Sequence, residues 1–257
     1  MSRERRRAMT HLQFAFGDSL PPSEKSRIYR ACMENLGKTL METVKLPYLS
    51  SDEIRDMVTV EGENYLQKAL AEGNGAIIMT GHIGNWELGA ATMACRNYRI
   101  GVVSAPIYDP WIEQWMVRIR KSYGIETIVR GQANTLRRIF SILKAGGVIA
   151  MLIDQDTRVE GVFVPFFGRD AYTPSGPALI ALRIQTPVLP GFMVRQKDGS
   201  HKMIFKEATP MIRTGNPESD IRSNTAAWMG IVEQTIRENP EQWVWMHRRW
   251  KTVKGPE

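Results

Sequence analysis

The chain has 257 residues, of which 43% are hydrophobic and 24% charged, a composition that suits one large globular domain or a main domain with a small appendage. Its formal net charge of +7 favours anionic partners such as lipid headgroups, phosphorylated substrates or an acidic carrier protein. Nucleic acid is disfavoured, because the sequence has no helix-turn-helix pattern, zinc-finger spacing or RNA-binding aromatic motif. No apolar run approaches the ~18 residues of a membrane span, and the N-terminus lacks the apolar segment of a signal peptide.

Residues 1 to 73 are predicted to form a helical N-terminal arm. Apolar residues recur there at four-residue spacing, which predicts a helix over residues 21 to 46 that Pro47 ends. A second helix is predicted over residues 63 to 71 and is closed by Gly73.

From residue 74 onward, short apolar runs alternate with segments of helical spacing. The runs predict strands at residues 76–79, 100–105, 126–130, 148–153 and 187–194, with an edge strand at 202–209. A last long helix is predicted over residues 221 to 238, followed by WVWMHRRW as a terminal strand or extended segment. This alternation predicts an α/β domain over residues 74 to 257, with a mixed, largely parallel sheet that helices cover on both faces. The helical arm is expected to pack on this domain.

One histidine directly follows the first of these strands. His82 lies in the segment TGHIGNWELGA, where two glycines permit a tight turn and Asn85 is a favourable N-cap for the next helix. Glu87 then falls in the first turn of that helix, where a carboxylate is favourable and where we expect it to reach the His82 ring. Ligand sites of open α/β sheets lie at the carboxyl ends of the strands, so this pair marks the predicted site.

A carboxylate bonded to one imidazole nitrogen fixes the tautomer and leaves the other nitrogen as a base. The sequence has no GxSxG nucleophile motif, so we expect His82 to act on the hydroxyl of a substrate and to drive direct attack on an activated acyl group. The structural alternative is a histidine that caps the turn, with Glu87 in an ordinary helix-start interaction.

Three ordered sequence blocks resemble those of the lipid A late acyltransferases, the lauroyl and myristoyl transferases of Gram-negative bacteria. They are TGHIGNWELGA with its His-x4-acid spacing, the long block that begins DQDTRVEG at residue 154, and NPEQWVWMHRRWK at residues 239 to 251. Phosphatidylinositol mannoside acyltransferases share these features, which leaves the acceptor open. The FPEGTR block of the glycerol-phosphate acyltransferases is absent, which argues against a lysophosphatidate acceptor, although the resemblance implies a fold similar to theirs.

The resemblance implies transfer of a fatty acyl chain from a thioester of acyl carrier protein or coenzyme A to a glycolipid hydroxyl. It implies His82 as the general base, with Glu87 as its orienting partner. Arg118 is the best match to a functional arginine of the family and Arg120 is a near rival, whereas Asp154 matches an acidic position near the active site. No cofactor and no metal are expected.

Each of these residues also has a plainer interpretation. Arg118 and Arg120 lie on a predicted helix and are equally compatible with surface charges. Asp154 and Asp156 at a strand end suggest a metal site, but no histidine supports one, and a structural loop carboxylate is the preferred interpretation. The tryptophans of WVWMHRRW are expected by default to pack in the core or at an interface, with an aromatic and basic ledge at the level of lipid headgroups as the alternative.

We expect a peripheral protein at the cytoplasmic face of the inner membrane, attracted to its anionic surface. The family normally has an upstream hydrophobic anchor, and this sequence begins where that anchor would end. Two other functions stay open at this stage. One is a thioesterase that uses the same site with water as acceptor, and the other is a non-catalytic module that binds anionic lipid.

Overall fold

A computed structural model describes residues 2–255, in which α-helices flank a central sheet. The helices of this part of the chain are α1 (Arg3–Phe16), α2 (Pro22–Lys45), α3 (Ser51–Met57), α4 (Glu63–Ala71), α5 (Trp86–Cys95), α6 (Pro110–Ser122), α7 (Thr135–Lys144), α8 (Gly176–Ile184) and α9 (Pro217–Glu238). The predicted bounds of α4 are confirmed, and α2 ends two residues before Pro47, which cannot continue a helix. No helix within residues 2–255 combines the length and the apolar character that a bilayer span requires.

The strands include all six that the apolar runs predict. They are β1 (Val58–Glu61), β2 (Ala76–Thr80), β3 (Ile100–Ser104), β4 (Glu126–Val129), β5 (Val148–Leu152), β6 (Gly161–Phe166), β7 (Arg169–Pro174), β8 (Val188–Arg195) and β9 (His201–Phe205). Strands β6 and β7 form a separate antiparallel hairpin, whereas the others form one sheet.

The sheet has the strand order β1-β9-β8-β2-β5-β3-β4. The strands from β8 to β4 are mutually parallel, β9 is antiparallel to β8, and β1 is parallel to β9. The predicted mixed, largely parallel sheet is therefore confirmed. Because β2, β5, β3 and β4 are parallel neighbours, their carboxyl ends meet at one edge of the sheet.

Strand β2 shows why the sheet is covered on both faces. All five of its residues are buried, which is typical of a strand in a parallel sheet with helices on either side. Side chains alternate between the faces of a strand, and Ile77 and Met79 pack into one apolar cluster whereas Ala76 and Ile78 pack into the other. The site at the end of β2 thus rests on a strand that two cores hold in place.

The N-terminal arm and the strand at 202–209 differ in part from expectation. Residues 58 to 61 of the predicted arm form β1, which pairs with β9, so β9 does not lie at the edge of the sheet. The period of four that marks a helix is absent from this short segment, and its partner strand lies about 140 residues later in the chain.

The C-terminal tryptophans lie in the core, as the default interpretation held. Trp243 and Trp245 are 1% and 0% exposed, and their rings meet edge to face with centroids 4.6 Å apart. The headgroup ledge is therefore wrong for these two residues. The terminal strand or extended segment predicted here is not observed, because the segment forms turns with a single bridge between Ile83 and Trp243.

Candidate active site

The register of β2 and β5 brings His82 to Asp154. Thr80 lies opposite Leu152 in this parallel pair, and both strands end at these residues. His82 lies two residues after the end of β2, and Asp154 lies two residues after the end of β5, so the two residues are neighbours beyond the edge of the sheet. The His82 ring nitrogen Nδ1 lies 2.8 Å from Asp154 Oδ1, and the backbone N–H of His82 donates to Oδ2 at 2.8 Å.

Asp154 is fully buried and is held as a carboxylate. Burial alone raises the pKa of this group, but the charge of a protonated His82, hydrogen bonds from the His82 ring and backbone, and one from Trp243 lower the pKa to about 2. Trp243 Nε1 donates to Oδ2 at 2.7 Å, a role for this tryptophan that the sequence did not indicate. Asp154 therefore stays ionised throughout the neutral pH range.

This carboxylate fixes the tautomer of neutral His82. An ionised carboxylate only accepts hydrogen bonds, so the Nδ1 atom facing it carries the proton and Nε2 is left as a base. The His82 side chain is 22% exposed, and its ring meets that of Trp86 edge to face at 4.9 Å. A ring that is oriented in this way and partly exposed has the chemistry required of a general base.

The predicted contact between His82 and Glu87 is wrong. Glu87 lies in the first turn of α5 as expected, but it receives hydrogen bonds from Arg120 Nε at 2.9 Å and from Arg120 Nη2 at 2.6 Å. The two side chains of this pair are only 11% and 10% exposed. The physical reason is that Arg120 on α6 forms a bidentate ion pair with Glu87. Asp154, at the end of the neighbouring strand, forms the hydrogen bond with His82 instead.

The structure places Arg120, and not Arg118, at the site. Both lie on α6, but two positions on a helix are about 200° apart, so only one of them can face the sheet. Arg118 is exposed, whereas Arg120 contributes to the wall of the cavity that contains His82. The sequence favoured Arg118 over Arg120 as the arginine of the site, and the structure reverses that order.

The turn between β2 and α5 depends on two glycines and an asparagine, as expected. Gly84 has a φ of +60°, and a Cβ there would lie 2.1 Å from the Met193 carbonyl oxygen. Glycine is favoured at position 81 by lack of space, because a Cβ there would lie 3.2 Å from the Asp154 carboxyl. Asn85 caps α5 as predicted, since its Oδ1 accepts from Leu88 N at 3.0 Å.

A buried polar network behind this turn was not predicted. Asn85 Nδ2 donates to Glu42 Oε2 at 2.8 Å, and Arg195 forms a bidentate ion pair with the same carboxylate. Burial raises the pKa of Glu42, but the His201 ring beside its carboxylate and the hydrogen bonds from Arg195 and Asn85 lower the pKa to about 2. The network links α2 and β8 to the residue that caps α5, so it fixes the position of the turn that carries His82.

A large, mainly apolar cavity opens beside His82. Its volume is about 810 Å³. Polar groups occur where the strands end, including His82, Arg120 and Arg130. Away from them, the wall between α5 and the sheet is apolar and is formed by Ile78, Gly89, Met93, Met193 and Met203. A cavity of this size and lining suits an elongated apolar ligand with one polar end.

The second acidic residue of the DQD segment belongs to a different contact. Asp156 accepts from the Thr252 backbone N–H at 2.8 Å and lies 3.5 Å from Lys251 Nζ. Asp154 instead faces His82 and Trp243. The two carboxylates thus hold separate parts of the chain.

Residues 1–252 match a protein family described as bacterial lipid A biosynthesis acyltransferase. The chain is similar to the lipid A biosynthesis lauroyltransferase of Escherichia coli K12, with 27% identity over 97% of this chain and 80% of that protein. It is 29% identical to the lipid A biosynthesis palmitoleoyltransferase of the same organism, over 89% of this chain and 73% of that protein. It is also 23% identical to the phosphatidylinositol mannoside acyltransferase of Mycobacterium tuberculosis H37Rv, over 86% of this chain and 69% of that protein. The family resemblance of the three sequence blocks is confirmed.

Proposed function

Because the chain belongs to the bacterial lipid A biosynthesis acyltransferase family, we propose that it moves a fatty acyl chain from a thioester to a hydroxyl of a lipid A precursor. The thioester is carried by acyl carrier protein or coenzyme A. The activity as an acyltransferase rests on the family, and the identity of donor and acceptor is our proposal. The observation that carries it is the position of His82, which Asp154 orients at the polar end of an apolar cavity.

The geometry supports direct transfer without a covalent enzyme intermediate. His82 Nε2 takes the proton of the acceptor hydroxyl as its oxygen attacks the thioester carbonyl carbon. The carbon–sulfur bond then breaks, and the imidazolium returns the proton to the departing thiolate. Asp154 stabilises the imidazolium between these two steps, because its carboxylate remains ionised.

Arg120 is suited to hold the negative charge that develops on the carbonyl oxygen. Its Nε and Nη2 atoms donate to Glu87, which leaves the Nη1 hydrogens as unused donors on a side chain that contributes to the cavity wall. A fixed donor of this kind stabilises an oxyanion more in a site with little water than it would in solution. Glu87 thereby acts as a positioning residue for Arg120.

The acyl chain fits the apolar wall between α5 and the sheet. Gly89 leaves space there, since a Cβ added to it would meet Met193 and Met203 only at ordinary contact distances of 3.6 to 3.9 Å. Methionine side chains adapt their shape to an apolar ligand. This wall supplies the burial that an alkyl chain requires.

The test is a product assay with purified protein and an acyl carrier protein thioester. We expect ester to appear when a lipid A precursor is added and little free fatty acid without it, measured by mass spectrometry. A parallel reaction with phosphatidylinositol mannoside as acceptor tests the acceptor, since a relative of that name is also similar to the chain. Release of free acid at the same rate with and without acceptor would identify a thioesterase and contradict the proposal.

We place the protein at the anionic, cytoplasmic surface of the inner membrane, where thioester donors are available. Five large apolar side chains that contribute to the cavity wall are also exposed to solvent: Leu40 at 60%, Leu136 at 53%, Ile112 at 41%, Leu179 at 40% and Ile107 at 38%. Trp111, next to Ile112, is 68% exposed. Apolar side chains around an opening, on a chain with a charge of +7, suit a surface that meets lipid.

The double variant Leu40→Ser and Trp111→Ser should bind vesicles about tenfold more weakly, because two apolar side chains no longer insert into the lipid. Flotation with phosphatidylglycerol vesicles measures this partition. Val253→Ser is the matched control, since Val253 is 82% exposed but does not contribute to the cavity wall. Equal loss in both variants, or no loss in the double variant, would contradict the proposed surface.

A further inference from the structure

Arg130 is a second arginine in the wall of the cavity, and its environment differs from that of Arg120. It directly follows β4, and its Nη1 donates to the neutral hydroxyl of Thr157 at 3.0 Å. Between residues 2 and 255, no carboxylate lies within ion-pair distance of its guanidinium. Glu160 also contributes to the cavity wall, but its side chain is exposed and forms no ion pair with Arg130.

A half-buried cation without a counter-charge is unfavourable unless a ligand supplies one. Burial lowers the pKa of Arg130, because part of its charged group is removed from water. A guanidinium has five N–H donors, and the bond to Thr157 is the only side-chain hydrogen bond that Arg130 makes within the described residues. The remaining donors form the planar fork that binds phosphate oxygens in pairs.

We propose that Arg130 binds a phosphate group of a substrate while the reacting hydroxyl and thioester lie at His82. This inference rests on the proposed acyl transfer for its choice of substrates. Strands β2 and β4 are three strand spacings apart in the sheet, roughly 14 Å. That separation suits a phosphate carried some distance from the reacting atoms, either on a phosphorylated sugar of the acceptor or on the phosphopantetheine arm of the donor.

Two matched pairs of small probes distinguish these sources without any acyl transfer. One pair is glucosamine 1-phosphate and glucosamine, and the other is 4′-phosphopantetheine and pantetheine. We expect the phosphorylated member of one pair to bind at least about tenfold more tightly than its partner, since hydrogen bonds to charged groups are the stronger ones. Ligand-detected NMR titration measures the affinities, and the pair that responds names the source.

In Arg130→Gln this phosphate preference should disappear, with thermal stability unchanged or higher because the substitution removes a half-buried cation that has no counter-charge. Arg137→Gln on α7 is the matched control, since Arg137 is exposed and does not contribute to the cavity wall. A preference that survives in Arg130→Gln, or the absence of a preference in both pairs, would overturn the inference. Binding that behaves as expected in a protein without transferase activity would instead overturn the proposed function and leave the phosphate site intact.

Discussion

Replacing His82 with alanine should lower the rate of acyl transfer by about 10² to 10⁴-fold, the usual contribution of a general base. The substitution removes the only imidazole nitrogen in the described cavity wall, so the acceptor hydroxyl must be deprotonated by water. The effect should appear in kcat, because the apolar wall that we propose for the acyl chain and the arginines of the site remain in place. Steady-state assays with the thioester and the lipid A precursor measure it.

The same variant must be shown to fold, since it removes one of three donors to a buried carboxylate. Asp154 keeps the hydrogen bonds from the backbone of residue 82 and from Trp243, so we expect a loss of stability of only about 1 to 3 kcal/mol. Thermal unfolding and binding of a non-hydrolysable thioester analogue check this. A folded His82→Ala protein that retains activity within tenfold of the original would rule out His82 as the base.

Most strands of the sheet could be predicted from the sequence, but their order in the sheet could not. Each predicted strand is a short apolar run bounded by glycine, proline or polar residues, a pattern that depends only on neighbours in the chain. The pairing of β2 with β5 joins residues more than 70 positions apart, and no local pattern specifies it. For this reason His82 and Asp154 were each identified at a strand end, whereas their contact was not.

Helix geometry explains the other differences at the site. The sequence placed Glu87 correctly in the first turn of α5, but which cation or imidazole it meets depends on the packing of α6 against α5. Arg118 and Arg120 differ only by the face of α6 on which they lie, and that face is set by the sheet beneath it. The sequence did not indicate the roles of Glu42 and Trp243 at the site, because these roles depend on contacts between distant residues. Glu42 contacts Asn85, 43 residues away, and Trp243 contacts Asp154, 89 residues away.

The largest difference between the predicted site and the observed one is the partner of His82, which was predicted to be Glu87 and is Asp154 in the structure. The substitution Asp154→Asn tests which of the two carboxylates orients His82. Oδ2 of Asp154 accepts from the His82 backbone N–H and from Trp243 Nε1, so the oxygen of an asparagine must take that position. Its NH₂ group then faces Nδ1 of His82 and donates to it. This forces the proton of neutral His82 onto Nε2, the atom that acts as the base in the proposed mechanism.

Asp154→Asn should therefore lower kcat by about 10²-fold or more while the protein stays folded, as expected when an orienting carboxylate is lost and the wrong tautomer results. Nitrogen-15 NMR of the His82 ring gives the tautomer directly, and we expect protonated Nε2 in this variant and protonated Nδ1 in the original protein. Glu87→Gln is the control: it disturbs Arg120 and lowers activity by that route, but leaves the His82 tautomer unchanged because Asp154 still faces Nδ1. If the tautomer changed in Glu87→Gln and not in Asp154→Asn, Glu87 would be the partner of His82 during catalysis, and the resting contact with Asp154 would be structural.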